Sequence, residues 1–334
     1  MNDTNVLFIW KARNELQDYL KKGLESEYHV TLVFPDEIEE SRLLELAPNA
    51  DILLGWKPSK ALLDAAEQMR LFINPGAGVQ HHIDAFREIN KTRTVTLVNG
   101  HGNSYFTAQH GVALLLALTN KVIPHHNWTV EGLWRRGDDH ASSTPLRNRR
   151  IGFLGYGAVN STVHRLLSGF DVEFSILKRT WEGNESLTTP ATRYTTSQLH
   201  GFLHEVNILI VAVPLTSKTK GMLGPKELQM LGPEGLLVTI ARGDVIDESS
   251  LFTALNEKMI AGAAIDVWYE YKPEPDEAGR LYPFHELENV ILSPHRGMSP
   301  FADLERWNEV VENIKRFGMG RTDFLNVVDL DREY

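Results

Sequence analysis

The stretch Gly152-Phe153-Leu154-Gly155-Tyr156-Gly157-Ala158-Val159-Asn160 has the residue types and spacing to hold a phosphate anion. The first glycine of such a turn makes the tight bend, and the second lets the backbone approach a pyrophosphate. A helix starting just beyond offers unpaired N–H groups and the positive end of its dipole. Gly155 and Gly157 fill those two places, while Asn160 stands where a third glycine is usual. Twenty-three residues beyond Gly155 come Lys178, Arg179 and Thr180. An NAD-binding turn has a carboxylate at that point for the ribose 2′-hydroxyl, and none stands here in sequence. Two cations and a hydroxyl suit a 2′-phosphate instead, so NADP(H) is expected over NAD(H).

Elements to position these groups are legible in the apolar pattern. Before residue 100, Val6–Trp10, Val30–Phe34, Ile52–Leu54, Leu71–Ile73 and Thr96–Val98 read as buried strands, with helical patterns such as Leu16/Leu20 and Leu62/Leu63/Ala66 between them. A long helix is predicted from Tyr105 to Lys121, with Asn103 and Ser104 as its caps, and an irregular polar stretch from Pro124 to Asn148. Alternation restarts at Ile151–Leu154 and continues through Val172–Leu177, Ile208–Val213, Leu236–Ile240, Ala263–Val267 and Val290–Leu292. A last helix is expected from Pro300 to Phe317, stopped at Gly318-Met319-Gly320. Strand–helix alternation of this kind implies parallel sheets covered on both faces.

Composition narrows the classes. The chain has 334 residues, 34 Lys and Arg against 44 Asp and Glu, and a net charge of −10, which argues against a nucleic-acid partner. It contains no cysteine, which excludes disulfides, thiolate nucleophiles and cysteine-ligated metals. With 42% hydrophobic residues, no apolar run long enough to span a bilayer and no basic region before the first apolar run, a cytoplasmic protein is expected, with no membrane partner. The thirteen histidines show no metal-binding spacing, so no metal is expected. His81-His82 reads either as lining for a substrate site or as an exposed loop pair. Trp128 and Trp134 read by themselves as packing beneath a long loop; the family resemblance carried by the segments that follow implies subunit contact instead.

Four further segments carry a family resemblance. They are Pro214-Leu215-Thr216-Ser217-Lys218-Thr219, Ala241-Arg242-Gly243-Asp244-Val245-Ile246-Asp247-Glu248, Gly262-Ala263-Ala264-Ile265-Asp266-Val267-Trp268 and Ser293-Pro294-His295-Arg296-Gly297. Together with Gly76-Ala77-Gly78-Val79 and Thr107-Ala108-Gln109-His110, they resemble the D-isomer-specific 2-hydroxyacid dehydrogenases along nearly the whole chain, in the manner of glyoxylate/hydroxypyruvate reductases. The resemblance implies an α/β fold of two Rossmann-like or flavodoxin-like parallel-sheet domains with an active-site cleft between them. Residues 1–102 and 300–334 would form a discontinuous catalytic domain, and 103–299 the dinucleotide domain.

The same resemblance implies a 2-oxo acid reductase acting on a small anionic substrate, and a homodimer. Arg242 would bind the substrate carboxylate and polarise its carbonyl, and His295 would donate the proton. Backbone groups at Gly78 and Val79 would complete the carboxylate site. Cofactor contacts would come from Gly155, Tyr156, Gly157, Ala158, Val159, Lys178, Arg179, Thr180, Val213, Pro214, Ala241 and Asp266. The family pairs its histidine with a glutamate five residues beyond the Asp266 position, where this chain has Tyr271. Glu270, Glu274 or no acid at all are the alternatives, with Glu270 placed first. Two other readings fit the same motifs: a catalytically silent, corepressor-like platform that binds dinucleotide, and a formate or phosphoglycerate dehydrogenase relative.

Overall fold

The computed structural model describes residues 3–24, 29–183, 185–269 and 282–334. These form two compact units, Met1–Asn103 with Pro300–Tyr334, and Ser104–Ser299.

The first unit is built on β1 (Thr4–Phe8), β2 (Val30–Val33), β3 (Ile52–Leu54), β4 (Leu71–Asn74) and β5 (Thr96–Asn99), in the parallel order β2-β1-β3-β4-β5. This is the flavodoxin-like order. Period-two alternation sends Leu7, Leu53, Phe72 and Leu97 to one face and Val6, Phe8, Ile52, Leu71 and Val98 to the other. Because both faces are covered, the strands read as continuous apolar runs. The chain returns to this unit through the helix Asn308–Gly318, whose Val310, Val311 and Ile314 pack on the Val6 face. That helix is shorter than expected: a 3-10 turn at Glu305–Trp307 precedes it.

The second unit contains β6 (Arg150–Leu154), β7 (Glu173–Leu177), β8 (Thr192–Tyr194), β9 (Ile208–Val211), β10 (Leu236–Thr239), β11 (Gly262–Ile265) and β12 (Val290–Leu292). All pair in parallel, in the order β12-β11-β10-β9-β6-β7-β8. This is the Rossmann arrangement with one extra strand, and its switch point falls between β6 and β9. Strand β8 has no sequence signal, since Thr192-Arg193-Tyr194 is short and largely exposed. One face of the sheet is closed by Ile151, Phe153, Ile208, Ile210 and Val238, packed with Ala108 and Leu115 of the helix Ser104–Thr119. Each fully buried Leu, Ile or Phe contributes about 1.5–3 kcal/mol.

Two expectations need correction. The stretch read as irregular from Pro124 begins inside a helix, Val122–Val130, in which no side chain is buried, so no apolar periodicity announces it. Pro124 lies in its first turn, where a missing N–H costs little. Asn103 does not cap the helix Ser104–Thr119 that follows it through its side-chain oxygen, because Oδ1 is buried without a hydrogen bond. No helix among the described residues is long and apolar enough to cross a membrane.

Candidate active site

At the switch point of the second unit, β6 runs into Gly155, whose φ of +82° belongs to the left-handed region. A Cβ there would stand 2.7 Å from Val213 Cγ1, so glycine is required on both counts. The same contact brings Val213, beyond β9, against the glycine turn. The helix Ala158–Leu167 starts immediately after, with Gly157 as an N-cap that supplies no side-chain hydrogen bond. A Cβ on Gly157 would meet no protein atom within 4 Å. The Gly155 N–H is taken by Leu177 O at 2.9 Å, so the backbone N–H groups suited to an anion are those that follow it, from Tyr156 into the first turn of the helix.

Asn160, the departure from the three-glycine pattern, is fully buried. Its Nδ2 donates to the carbonyls of Gly155 at 2.7 Å, Leu154 at 3.3 Å and Ile210 at 3.3 Å. A polar staple thus replaces the close packing that a third glycine would allow. Tyr156 turns its hydroxyl to Nδ1 of buried His164 at 2.7 Å, and His164 Nε2 reaches Thr189 Oγ1 at 2.7 Å. This chain fixes the glycine turn to the helix behind it. Burial lowers the His164 pKa, which favours its neutral form.

A second cluster lies beyond β11 and β12. Asp266, only 1% exposed, follows β11 directly. Its Oδ1 accepts from the Ser293 hydroxyl and from the Arg296 N–H at 2.8 Å, and its Oδ2 accepts from the Gly297 N–H at 2.9 Å. His110 Nε2, on the helix Ser104–Thr119, lies 2.9 Å from Ser293 Oγ and 3.2 Å from Asp266 Oδ1. With the serine proton directed at the carboxylate, that ring nitrogen is the donor. Burial opposes the charged carboxylate, but the His110, Ser293, Arg296 and Gly297 donors outweigh it and hold the Asp266 pKa below its ordinary value.

His295 stands at the tip of the loop so held. Its φ of +56° is unusual for a non-glycine residue, and it turns the next two N–H groups onto Asp266. Trp268 Nε1 fixes the base of the loop by donating to Ser293 O at 2.8 Å. Burial lowers the His295 pKa, the Arg242 charge lowers it further, and Asp266 opposes both. Arg242, half-buried beyond β10, donates from Nη1 to Ala241 O at 2.6 Å. The structure therefore couples Arg242, His295 and Asp266 electrostatically. Asp266 was expected to touch cofactor, yet its carboxylate is engaged by protein donors. Glu270 and the alternative Glu274 lie outside the described residues, as does Tyr271 at the family's glutamate position.

At the end of β7 the sequence reading needs correction, because a carboxylate does reach that point. Glu185 accepts from Lys178 Nζ, at 2.6 Å to Oε1, and its Oε1 also accepts from the Glu182 N–H at 3.0 Å. Lys178 also lies 4.6 Å from the Trp181 ring centroid. Arg179 is half-buried and Thr180 exposed beside the pair. Pro214 is exposed and Ala241 buried at the ends of their strands.

Gly78 and Val79 belong to the other unit, in the loop after β4. His82, which closes that loop, is neither a site lining nor an exposed residue: it is 2% exposed and packs on Phe72. Trp134 is 68% exposed, so it does not pack beneath a loop. Among the described residues no cluster of three or more His, Asp or Glu could hold a metal. Sequence reasoning missed the roles of His110, Ser293, Asn160 and Glu185. For His110 the one available signal was its place in the Thr107–His110 motif.

Residues 112–297 match the family described as D-isomer specific 2-hydroxyacid dehydrogenase, NAD binding domain. The chain is 32% identical over 312 residues to a glyoxylate reductase of Thermococcus gammatolerans, covering 88% of this chain and 86% of that one. It is 30% identical over 311 residues to a glyoxylate reductase of Pyrococcus furiosus, covering 89% and 88%. In fold it resembles a D-isomer specific 2-hydroxyacid dehydrogenase from Xanthobacter autotrophicus, solved with NADPH and MES. The TM-score there is 0.80 at 23% identity, with all of both chains covered.

Proposed function

The chain belongs to the D-isomer specific 2-hydroxyacid dehydrogenase family, and from that premise we propose that it interconverts a small 2-oxo acid and its D-2-hydroxy acid, with NADP(H) as the favoured cofactor. The carrying observation is that His295 stands on a loop pinned by buried Asp266 and feels the charge of Arg242, which follows β10.

Arg242 presents a planar fork that takes the substrate carboxylate and polarises the neighbouring carbonyl. His295 donates a proton to the carbonyl oxygen during reduction and takes it back in the reverse direction. N–H groups at Gly78 and Val79 supply further donors for the carboxylate. When bound, the nicotinamide cofactor supplies the hydride. Gly155, Tyr156, Gly157, Ala158 and Val159 would hold its pyrophosphate, and Val213, Pro214 and Ala241 would flank it. Asp266 acts first through the loop that it anchors. Glu270 is the first choice for an acid partner of His295; an unchanged pH–rate profile in Glu270→Gln would remove it.

Lys178, Arg179 and Thr180 support the phosphorylated cofactor, while Glu185 on Lys178 works against it. The reading keeps NADP(H) because a 2′-phosphate carries more charge than one carboxylate and can displace it from a half-buried lysine that solvent still reaches. NAD(H) is the alternative. The exposed apolar side chains Val122, Ile123, Val130, Leu133 and Trp134 support a homodimer that covers them. Light scattering on the purified protein tests that assembly.

The decisive experiment follows nicotinamide absorbance with glyoxylate, hydroxypyruvate and pyruvate, each with NADPH and NADH. Turnover with a lower KM for NADPH is expected. No turnover of any 2-oxo acid would overturn the reading, and a clear preference for NADH would overturn the cofactor choice alone.

A further inference from the structure

The loop Gly76–Val79 is held from within by two asparagine side chains and one backbone N–H. Asn74, fully buried at the end of β4, donates from Nδ2 to Gly76 O and, at 3.3 Å, to Gly78 O. Asn99, at the end of β5, donates from Nδ2 to Ala77 O at 2.8 Å. The His82 N–H donates to Val79 O at 2.8 Å. Four consecutive carbonyls are thus tied to the body of the unit. In a trans peptide the N–H points opposite to the carbonyl, so fixing these carbonyls also fixes the direction of the N–H groups of Ala77, Gly78, Val79 and Gln80.

The His82 side chain completes the device. Because Asn74 Nδ2 faces two carbonyls, its Oδ1 is the atom turned to His82 Nε2, at 3.3 Å. That nitrogen must carry the proton and donate. The ring packs 5.1 Å from Phe72 and edge-on to Phe86, surroundings that a cation would not tolerate. Burial, with the neighbouring His81 adding to it, pushes the His82 pKa down to about 3, so the ring stays a neutral donor at any working pH.

We propose that Asn74, Asn99 and His82 are positioning residues that set the donor face of the Gly76–Val79 loop for the carboxylate of the substrate. The proposal rests on reading that loop as the carboxylate site. It adds the reason why this loop holds its shape: buried amides, with a buried histidine to orient one of them, replace the regular ladder that ends with β4 and β5.

Steady-state kinetics with glyoxylate and NADPH on the wild type, His82→Leu, His82→Gln and Asn74→Asp test it. Leucine fills the apolar site without donating, glutamine restores a donor, and aspartate cannot donate to the Gly76 and Gly78 carbonyls. The KM for glyoxylate should rise about tenfold in His82→Leu and at least as much in Asn74→Asp, the loss expected for hydrogen bonds to a charged group. The KM for NADPH should stay unchanged, and His82→Gln should return the glyoxylate KM toward the wild-type value. General destabilisation would lower the active fraction, hence kcat, and leave KM alone. An unchanged glyoxylate KM in His82→Leu, or an equal rise in His82→Gln, overturns the proposal while the function stands. A wild type inactive on every 2-oxo acid overturns both. If Asn74→Asp does not fold, the His82 pair decides.

Discussion

Two carboxylates stand at strand ends of the same sheet, and their surroundings could hardly differ more. Asp266, after β11, is buried and collects donors from a serine, a histidine and two backbone N–H groups. Glu185 sits on Lys178 after β7 at the surface, where water and salt compete for both partners. Buried and fully satisfied, the first cluster fixes one loop geometry, because any alternative leaves polar groups unpaired in the interior. The second is a half-buried pair open to water on one side, of modest consequence for stability, and an incoming phosphate can exchange with it. Chemistry that needs fixed geometry is placed on the first, and recognition of a charged cofactor on the second.

The largest expected effect breaks the interior cluster. Asp266→Ala leaves two N–H groups and a hydroxyl unsatisfied, and should cost about 3–5 kcal/mol of stability with near-complete loss of turnover. Urea unfolding measures it; a midpoint unchanged from wild type would mean that the cluster does not fasten the loop. Next, His295→Gln should separate the anchor from the acid it carries. Turnover should fall about 10²–10⁴-fold, while the unfolding free energy changes by no more than about 0.5 kcal/mol.

The pH dependence comes third. With the His295 pKa below its ordinary 6.5, its acid form is lost as pH rises through that lowered value. For the unliganded enzyme, kcat/KM for reduction should therefore fall with a midpoint below 6.5, and the oxidation limb should run the opposite way. For stability the sign differs by group. Asp266, whose folded pKa lies below 3.8, contributes stability present above that value and lost as pH falls through the folded one. His82 binds its proton only near pH 3 when folded, so the unfolded chain takes up more protons between about 6.5 and 3. Stability should fall on acidification through that window, and His82→Gln should flatten the fall.

The smallest effects concern the Lys178–Glu185 pair. Lys178→Ala should raise the KM for NADPH about tenfold and leave NADH untouched. Glu185→Gln should lower the NADPH KM a few-fold, and neither change should shift the unfolding midpoint. An equal response of both cofactors would remove the pair from 2′-phosphate recognition.

Much of this architecture could be read directly from the chain, because buried parallel strands write themselves as apolar runs. Eleven strands coincide with such runs to within a few residues, whereas β8 and the helix Val122–Val130 bury too little to leave a pattern. The glycine turn was legible for the same local reason: a left-handed φ closed in by a neighbouring side chain, as at Gly155, demands glycine wherever it occurs. Asn160 was visible as a departure, but its donation to Gly155, Leu154 and Ile210 carbonyls was not.

What the sequence determined by itself was the set of local requirements: strand periodicity, the glycine turn, the order of the motifs, and an arginine and a histidine each following its own strand. The tertiary structure decided which distant groups meet. Glu185 reaches Lys178 across a loop, reversing the inference that no acid stands at that strand end. His110 reaches Asp266 from 156 positions away. Hydrogen bonds and charge couplings depend on separation in space, and no residue pattern states that separation until the sheet has brought its strand ends side by side.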